Sequence, residues 1–289
     1  MNQSEHAGRL PEILGRFRLS DLLIVSDLDD TLLNSEHALS GENRRAIEKL
    51  IRLGGNFGIA SGRPVTPVRL LGVPTNYPSV LYNGSAVYDL ATDAFLWTMP
   101  LPDDIRDLLL DLMERFPGMG IEIVMQSGYC ILVQNAETDV HLAQEHVVPA
   151  AVVRTPADAV GSIMKIILAW PGEKLKDVER YIRQLSEEGR IHYNFGFSYP
   201  ILFELLHPDA NKGLALRQLS AITGIPLSNI IALGDNMNDL ELMQTAGIRI
   251  VPSNAVPAIR ALAEYISVDN DHHIMEDVLS LLLRYCKKD

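Results

Sequence analysis

Cysteine is nearly absent: among 289 residues only Cys130 and Cys286 carry a thiol, far apart and in no ligand spacing. That excludes a disulfide-stapled scaffold and a thiolate metal centre, and thiols used this sparingly suit a reducing cytosol, so a cytoplasmic protein is expected. Positive charge is scarce too, with 25 Lys and Arg against 37 Asp and Glu and a formal net charge of −12. A chain this acidic is not built for a nucleic-acid backbone or an anionic membrane as its main partner. No apolar run is long enough to span a bilayer. The first twenty residues scatter Glu5, Arg9, Glu12, Arg16 and Arg18 among apolar positions, which denies them the uninterrupted core of a signal peptide. A Walker phosphate loop, a Gly-x-Gly-x-x-Gly fingerprint and a His-Glu-x-x-His zinc motif are all missing, which removes the usual signatures of a kinase, a dehydrogenase or a zinc protease. His272-His273 therefore reads as a pair of surface histidines. No repeat or low-complexity segment is visible.

What remains is an ordinary globular composition, 47% hydrophobic and 21% charged, on a chain long enough for two domains or one large one. The stretch Leu22-Leu23-Ile24-Val25-Ser26-Asp27-Leu28-Asp29-Asp30-Thr31-Leu32-Leu33 organises the rest. Its apolar half reads as a strand buried on both faces, and it ends in three carboxylates within four positions. Such carboxylates repel one another unless they are solvated, share a proton or bind a cation. A hard divalent ion with oxygen ligands, Mg²⁺, is the simplest remedy; a helix N-cap or a solvated turn is the alternative.

Ser40 is a plausible N-cap for a helix to about Leu53, and Phe57-Gly58-Ile59-Ala60 is a second strand ending at Ser61-Gly62-Arg63-Pro64. Strand, helix, strand favours parallel pairing through a right-handed crossover, which brings Asp27 and Ser61 to one edge of a sheet. Ser79 to Tyr82 is a candidate third strand, followed by a hairpin of Ala86 to Tyr88 with Phe95 to Trp97. Paired strands separated by helices then suggest an inserted α+β unit. The doubly wound pattern returns with a helix opened by Asn211-Lys212-Gly213 and a strand, Ile230 to Leu233, that delivers Gly234-Asp235-Asn236-Met237-Asn238-Asp239. Leu10, Ile13, Leu14 and Phe17 have helical spacing and could lie on the domain or on a partner subunit.

Asp-x-Asp-x-Thr at Asp27, Asp29 and Thr31, with Ser61, Lys212 and the Asp235 to Asp239 loop following in order, resembles the four signature motifs of the haloacid dehalogenase-like phosphohydrolases. Asn83-Gly84-Ser85, and the insertion between Ser61 and Lys212, resemble its Cof-type branch with a class IIB cap. The resemblance implies an α/β fold, a doubly wound parallel Rossmann-like core sheet at residues 1–86 and 207–289 with an inserted α+β cap at 87–206. It implies Asp27 as nucleophile and Asp29 as general acid and base. Mg²⁺ would be held by the Asp27 and Asp235 carboxylates and the Asp29 main-chain carbonyl. Ser61, Gly62, Lys212 and Asn238 would bind the phosphoryl group, with Asn238 bracing the metal side; Thr31 would fix the loop; Asp239 would reach the metal through a water or pair with Lys212. Two departures stand out: Asp30 occupies a position where glycine is common, and Pro252 to Ala255 and Asn270 to Ile274 replace glycine-containing turns.

The function implied is Mg²⁺-dependent hydrolysis of a small phosphorylated metabolite, sugar phosphates first, by a monomer or homodimer. A phosphatase of a larger sugar, of the sucrose-phosphate or mannosyl-phosphoglycerate type, and a non-catalytic phosphometabolite sensor are the rivals. Asp29 speaks against the sensor, because a stable aspartyl-phosphate is favoured where no acid or base stands beside it.

Overall fold

The computed structural model describes residues 10–288, so Glu5 and Arg9 lie outside the described residues. The chain divides into two compact units, one made of the chain through Arg63, Leu71–Thr98 and everything from Asn211 on, the other of Pro64–Leu70 and Met99–Ala210. In this division the hairpin strands pair within the first unit, which runs to Thr98 and resumes at Asn211.

In the first unit β1 (Leu23–Ser26) and β2 (Asn56–Ile59) pair in parallel, from Leu23 opposite Asn56 to Ser26 opposite Ile59. Every residue of β1 is buried, as a continuous apolar run covered on both faces requires. The helix between them, Gly41–Arg52, begins at Ser40, whose hydroxyl accepts from the Asn43 amide (3.1 Å) and satisfies one of the donors left over in the first turn. Ala46, Ile47 and Leu50 make its buried face, and the helix packs against the last one, Ile274–Tyr285. The short helix Leu10–Leu14, with Leu10 and Leu14 buried, packs against that same last helix.

β3 (Ser79–Leu81) does not join the parallel sheet as a full strand. It meets β2 through a bridge between Ala60 and Val80, and pairs antiparallel with β4 (Ala86–Asp89), which pairs in turn with β5 (Ala94–Thr98). The expected hairpin is therefore part of a three-stranded antiparallel sheet.

The second unit is built on β6 (Gly120–Met125), β7 (Gly128–Val133), β8 (Ala151–Val152), β9 (Ile163–Ala169), β10 (Asn194–Tyr199) and β11 (Leu202–Leu206). They form one sheet in the order β10-β11-β9-β6-β7-β8, antiparallel except where β7 lies beside β8. Alternate residues such as Ile121, Ile123, Ile166, Leu168, Phe203 and Leu205 enter one core with Leu109, Leu112, Val178 and Ile182 of the helices Ile105–Arg115 and Gly172–Glu187. Each large aliphatic side chain contributes about 1.5–3 kcal/mol on full burial, so this unit has a hydrophobic core of its own. The helix Ala136–Gln144 and the strand β8 were not expected from the sequence. Thr138, His141 and Leu142 are the buried residues of that helix, too few apolar positions to show a period.

The chain returns to the first unit with β12 (Ile230–Leu233), β13 (Ile248–Val251) and β14 (Tyr265–Ile266). The sheet runs β14-β13-β12-β1-β2, parallel throughout. From β1 the chain first moves outward to β2 and later to β12 on the other side, so the order reverses between β1 and β12. Open α/β sheets bind ligands at the carboxyl ends of strands beside such a reversal. No helix among the described residues is long and apolar enough to cross a membrane.

Candidate active site

Asp27 follows β1 directly, and its amide donates to the Leu233 carbonyl at the end of β12 (2.9 Å). The chain then makes a wide turn over Leu28–Leu32, closed by the Leu33 amide on the Leu28 carbonyl five residues back (2.8 Å). Asp30 is exposed and left-handed, at φ 55 and ψ 7. A glycine would take that conformation without cost; aspartate is one of the few other residues that tolerate it. Carboxamides tie this turn down: Asn254 donates to the Asp30 carbonyl (2.8 Å), Asn43 to that of Leu32 (2.9 Å) and Asn270 to that of Leu33 (3.2 Å). The two loops that lack the usual glycines therefore supply Asn254 and Asn270 as braces.

Asp27, Asp235 and Asp239, all buried, each offer a carboxylate oxygen within 4.8 Å of the others. Between them lies Lys212, 1% exposed, whose ammonium donates to Asp27 Oδ1 (2.7 Å) and Asp239 Oδ1 (2.6 Å). Lys212 opens the helix Lys212–Thr223, where Asn211 caps the Leu214 amide (2.7 Å). A cation at a helix start works against the helix dipole, and the two carboxylates offset that cost. Burial opposes the ammonium charge, but Asp239 and Asp27 outweigh it and hold the Lys212 pKa above that of an ordinary lysine.

Three carboxylates against one ammonium leave surplus negative charge. Burial, then the charges of Asp239 and Asp235, push Asp27 well above the usual carboxylate range despite Lys212. Asp235 is pushed up to about 7 by burial and by Asp239, with the Thr31 hydroxyl on its Oδ1 (2.9 Å) pulling the other way. Such a site favours protons or a cation. The donor set is all oxygen, and Asp27 and Asp235 each keep one oxygen outside the bonds just named, which suits a hard divalent ion. Asp239 differs, because its second oxygen accepts from the Asp235 and Asn236 amides (3.0 and 3.3 Å) while the first holds Lys212. Asp239 pairs with the lysine and supplies the third carboxylate of the cluster.

The Asp29 side chain turns elsewhere. Its two oxygens accept from Arg63 in a forked contact, Nη2 on Oδ1 at 2.7 Å and Nε on Oδ2 at 2.9 Å, and His37 Nδ1 lies 3.4 Å from Oδ1. Burial works to raise its pKa, but Arg63 and His37 outweigh that and hold it below the ordinary value. Arg63 was visible in the sequence only as part of the turn after β2; a forked guanidinium partner for an acidic residue 34 positions away leaves no local pattern.

Ser61, at the end of β2, is buried, and its hydroxyl accepts the Arg63 amide (3.1 Å). At Gly62 a side chain would come within 2.6 Å of the Asn83 carboxamide. Tyr82, Asn83 and Gly84 all have positive φ, and a Cβ on Gly84 would stand 2.1 Å from the Asn211 carbonyl oxygen. The Asn83-Gly84-Ser85 turn thus seats the start of the Lys212 helix by close backbone approach. Asn238 is exposed, and its side chain makes no hydrogen bond among the described residues; the capping role in its turn belongs to Asn236, which accepts the Met237 amide (2.8 Å).

The chain is similar to known proteins over most of its length. The 5-amino-6-(5-phospho-D-ribitylamino)uracil phosphatase YwtE of Bacillus subtilis is 29% identical, over 86% of this chain and 94% of its own length. A second Bacillus subtilis phosphatase named for the same compound, YitU, is 24% identical over 86% and 93%. The crystal structure of TM0651 from Thermotoga maritima superposes with a TM-score of 0.79 at 25% identity, covering 92% of this chain and 98% of that one. A family model for haloacid dehalogenase-like hydrolases matches residues 24–279. That span takes in every residue of the strand-end cluster, from Asp27 to the loop that supplies Asn270, and the chain belongs to the haloacid dehalogenase-like hydrolase family.

Proposed function

We propose that this protein is a Mg²⁺-dependent phosphatase of small phosphorylated metabolites, working through an aspartyl-phosphate formed on Asp27. The observation that carries the reading is the buried ammonium of Lys212 between Asp27 and Asp239, with Asp235 alongside. It offers a carboxylate nucleophile held by a cation in a site with room in its charge balance for a divalent ion.

Mg²⁺ would be held by the Asp27 and Asp235 carboxylates and the Asp29 main-chain carbonyl, and when bound it would neutralise Asp27 and a phosphoryl oxygen together. Lys212 holds the Asp27 carboxylate in place through Oδ1, and Asp27 attacks phosphorus. The bond from phosphorus to the leaving oxygen breaks as the bond to Asp27 forms, and Asp29 gives the departing alkoxide its proton. Water then attacks the same phosphorus, Asp29 takes a proton from it, and Asp27 is released. The Ser61 hydroxyl and the Gly62 amide would hydrogen-bond the phosphoryl oxygens. Asn238, exposed on the loop after Asp235, would meet the same group. Thr31 and Asp239 act one step back, on Asp235 and Lys212.

Sugar and sugar-alcohol phosphates are the first substrate class, in keeping with the phosphorylated ribityl compound for which two relatives are named. The second unit is read as the cap that selects among them. Phosphate release from a panel of such esters, with and without Mg²⁺, tests the proposal. Asp27→Asn should abolish turnover, and retention of full activity by that variant would defeat the mechanism. Stoichiometric labelling of Asp27 without turnover would instead identify a sensor.

A further inference from the structure

The six-stranded sheet of the second unit ends in two edge strands, β8 and β10. An edge offers unpaired amides and carbonyls to any chain that can lie alongside, and proteins blunt it by shortness, by proline or by charge. β8 is blunted in this way, being two residues long and preceded closely by Pro149. β10 is six residues long and pairs with β11 alone among the described strands. No Asp, Glu, Lys or Arg occurs from Ile191 to Phe203, in a chain whose net charge is −12. Two copies of so acidic a chain repel, and a neutral edge is where they meet least opposition. Phe195 and Phe197 stand beside Phe203, with ring centres 6.0 and 5.1 Å away, and Phe197 is 43% exposed. Gly196 between them has no positive φ, and a Cβ there would meet nothing within 4 Å. Neither a left-handed turn nor packing inside this chain therefore calls for glycine at that position. Glycine inside a strand weakens it and marks a bulge, a bend or the close approach of another backbone. The register shift of β10 lies farther on, between Phe197 and Tyr199, which leaves the close approach.

We propose that β10 is the surface through which two copies of this protein pair, antiparallel about a two-fold axis at Gly196, so that their six-stranded sheets join edge to edge. The proposal stands apart from the catalytic reading above. Antiparallel pairing suits a two-fold axis because one and the same strand serves as both partners. Centred on Gly196, it sets Phe195 of each copy opposite Phe197 of the other, and cross-strand aromatic pairs stabilise a sheet. On the opposite face, glycine against glycine lets the two backbones meet without side chains at the axis. Arg183 of the flanking helix lies over the Phe195 ring, 5.7 Å from its centre, and is paired with Glu179 (2.8 Å), so it brings no unbalanced charge to the contact. Head-to-tail growth from β10 onto β8 would need a longer strand at the far edge than the two residues found there. The assembly closes as a dimer.

Sedimentation equilibrium of the full chain, from about 1 to about 200 µM, reads the balance between a monomer and a dimer in the concentration range where small interfaces dissociate. The monomer has a mass of 32.0 kDa, and the dimer should appear at twice that mass. Phe197→Lys brings an ammonium from each copy to the joined edge and should raise the dimer Kd about tenfold or more. Leu110→Lys, at a position 52% exposed on the helix Ile105–Arg115, and Val152→Lys, at one 73% exposed on β8, add the same charge elsewhere in the unit. These two should leave Kd within about threefold. Added salt screens the repulsion between acidic copies, so the wild-type dimer should tighten between about 0.05 and about 0.5 M. Amide exchange of the wild-type chain reads the strand without any substitution: peptides spanning Asn194–Tyr199 should exchange more slowly as concentration rises, and those spanning β8 should not. A mass of 32.0 kDa at every concentration would overturn the proposal and leave the edge to an extended segment of another protein. A dimer indifferent to Phe197→Lys, one broken equally by Val152→Lys, one that loosens with salt, or β10 exchange that ignores concentration would overturn it too.

Discussion

Mg²⁺ binding to this protein should be coupled to proton release with a steepness set by Asp235. Burial and Asp239 raise its pKa to about 7 in the metal-free protein, whereas in an unfolded chain an aspartate titrates near about 3.9. Between these values the folded protein holds one proton more than the unfolded chain. The contribution to stability is therefore full below about pH 4 and is lost as the pH rises through about 7, by about 1.4 kcal/mol per unit and about 4 kcal/mol in all. A cation needs the ionised carboxylate and must expel that proton below neutrality. Apparent Mg²⁺ affinity should then weaken toward about tenfold per unit, about 50-fold or about 2.3 kcal/mol between pH 7 and pH 5. Asp27, raised by burial and by the same neighbours, adds to the slope in the same direction. Calorimetric titration of Mg²⁺ at pH values from about 5 to about 8, in buffers of different ionisation enthalpy, measures both affinity and protons released. An affinity that does not change over that range, or a slope untouched by Asp235→Asn, would refute the reasoning.

Lys212→Met removes the ammonium that two buried carboxylates share. Breaking such a pair costs about 3–5 kcal/mol, so the melting temperature should fall by about 6 °C or more and turnover should cease; an unchanged melt in metal-free protein would contradict the packing described. Gly84→Ala places a Cβ 2.1 Å from the Asn211 carbonyl oxygen and 2.7 Å from the Lys212 amide, at φ +94. It should cost about 1–3 kcal/mol by denaturant unfolding and lower kcat by displacing Lys212. Wild-type stability and activity in that variant would show that the turn tolerates what the backbone approach forbids.

The parallel sheet was readable because buried strands such as Leu23–Ser26 and Ile230–Leu233 are short, continuous apolar runs that end in Asp-rich turns. The same pattern brought Asp27, Lys212 and Asp235 to one place, over separations of about two hundred residues. For Asp239 the sequence left two roles open, and its side-chain direction gives one oxygen to Lys212 and the other to two amides. Two features escaped the pattern, each for a physical reason. Asp29 finds its partner in Arg63 on the neighbouring strand's loop, a contact no local period records. The helix Ala136–Gln144 has few apolar positions, and its burial of His141 against Glu122 (2.8 Å) is decided by the sheet it covers.

The turn that carries Asp29 and Asp30 is fastened at three carbonyls by the amide groups of Asn43, Asn254 and Asn270. Carboxamides neither gain nor lose protons over the working range, and added salt screens them little. In the cycle proposed above, the residues they support change ionisation at every turnover. Electroneutral fasteners thus insulate the scaffold from the chemistry it presents, and acid or high ionic strength should silence the reacting groups well before it loosens the loop on which they stand.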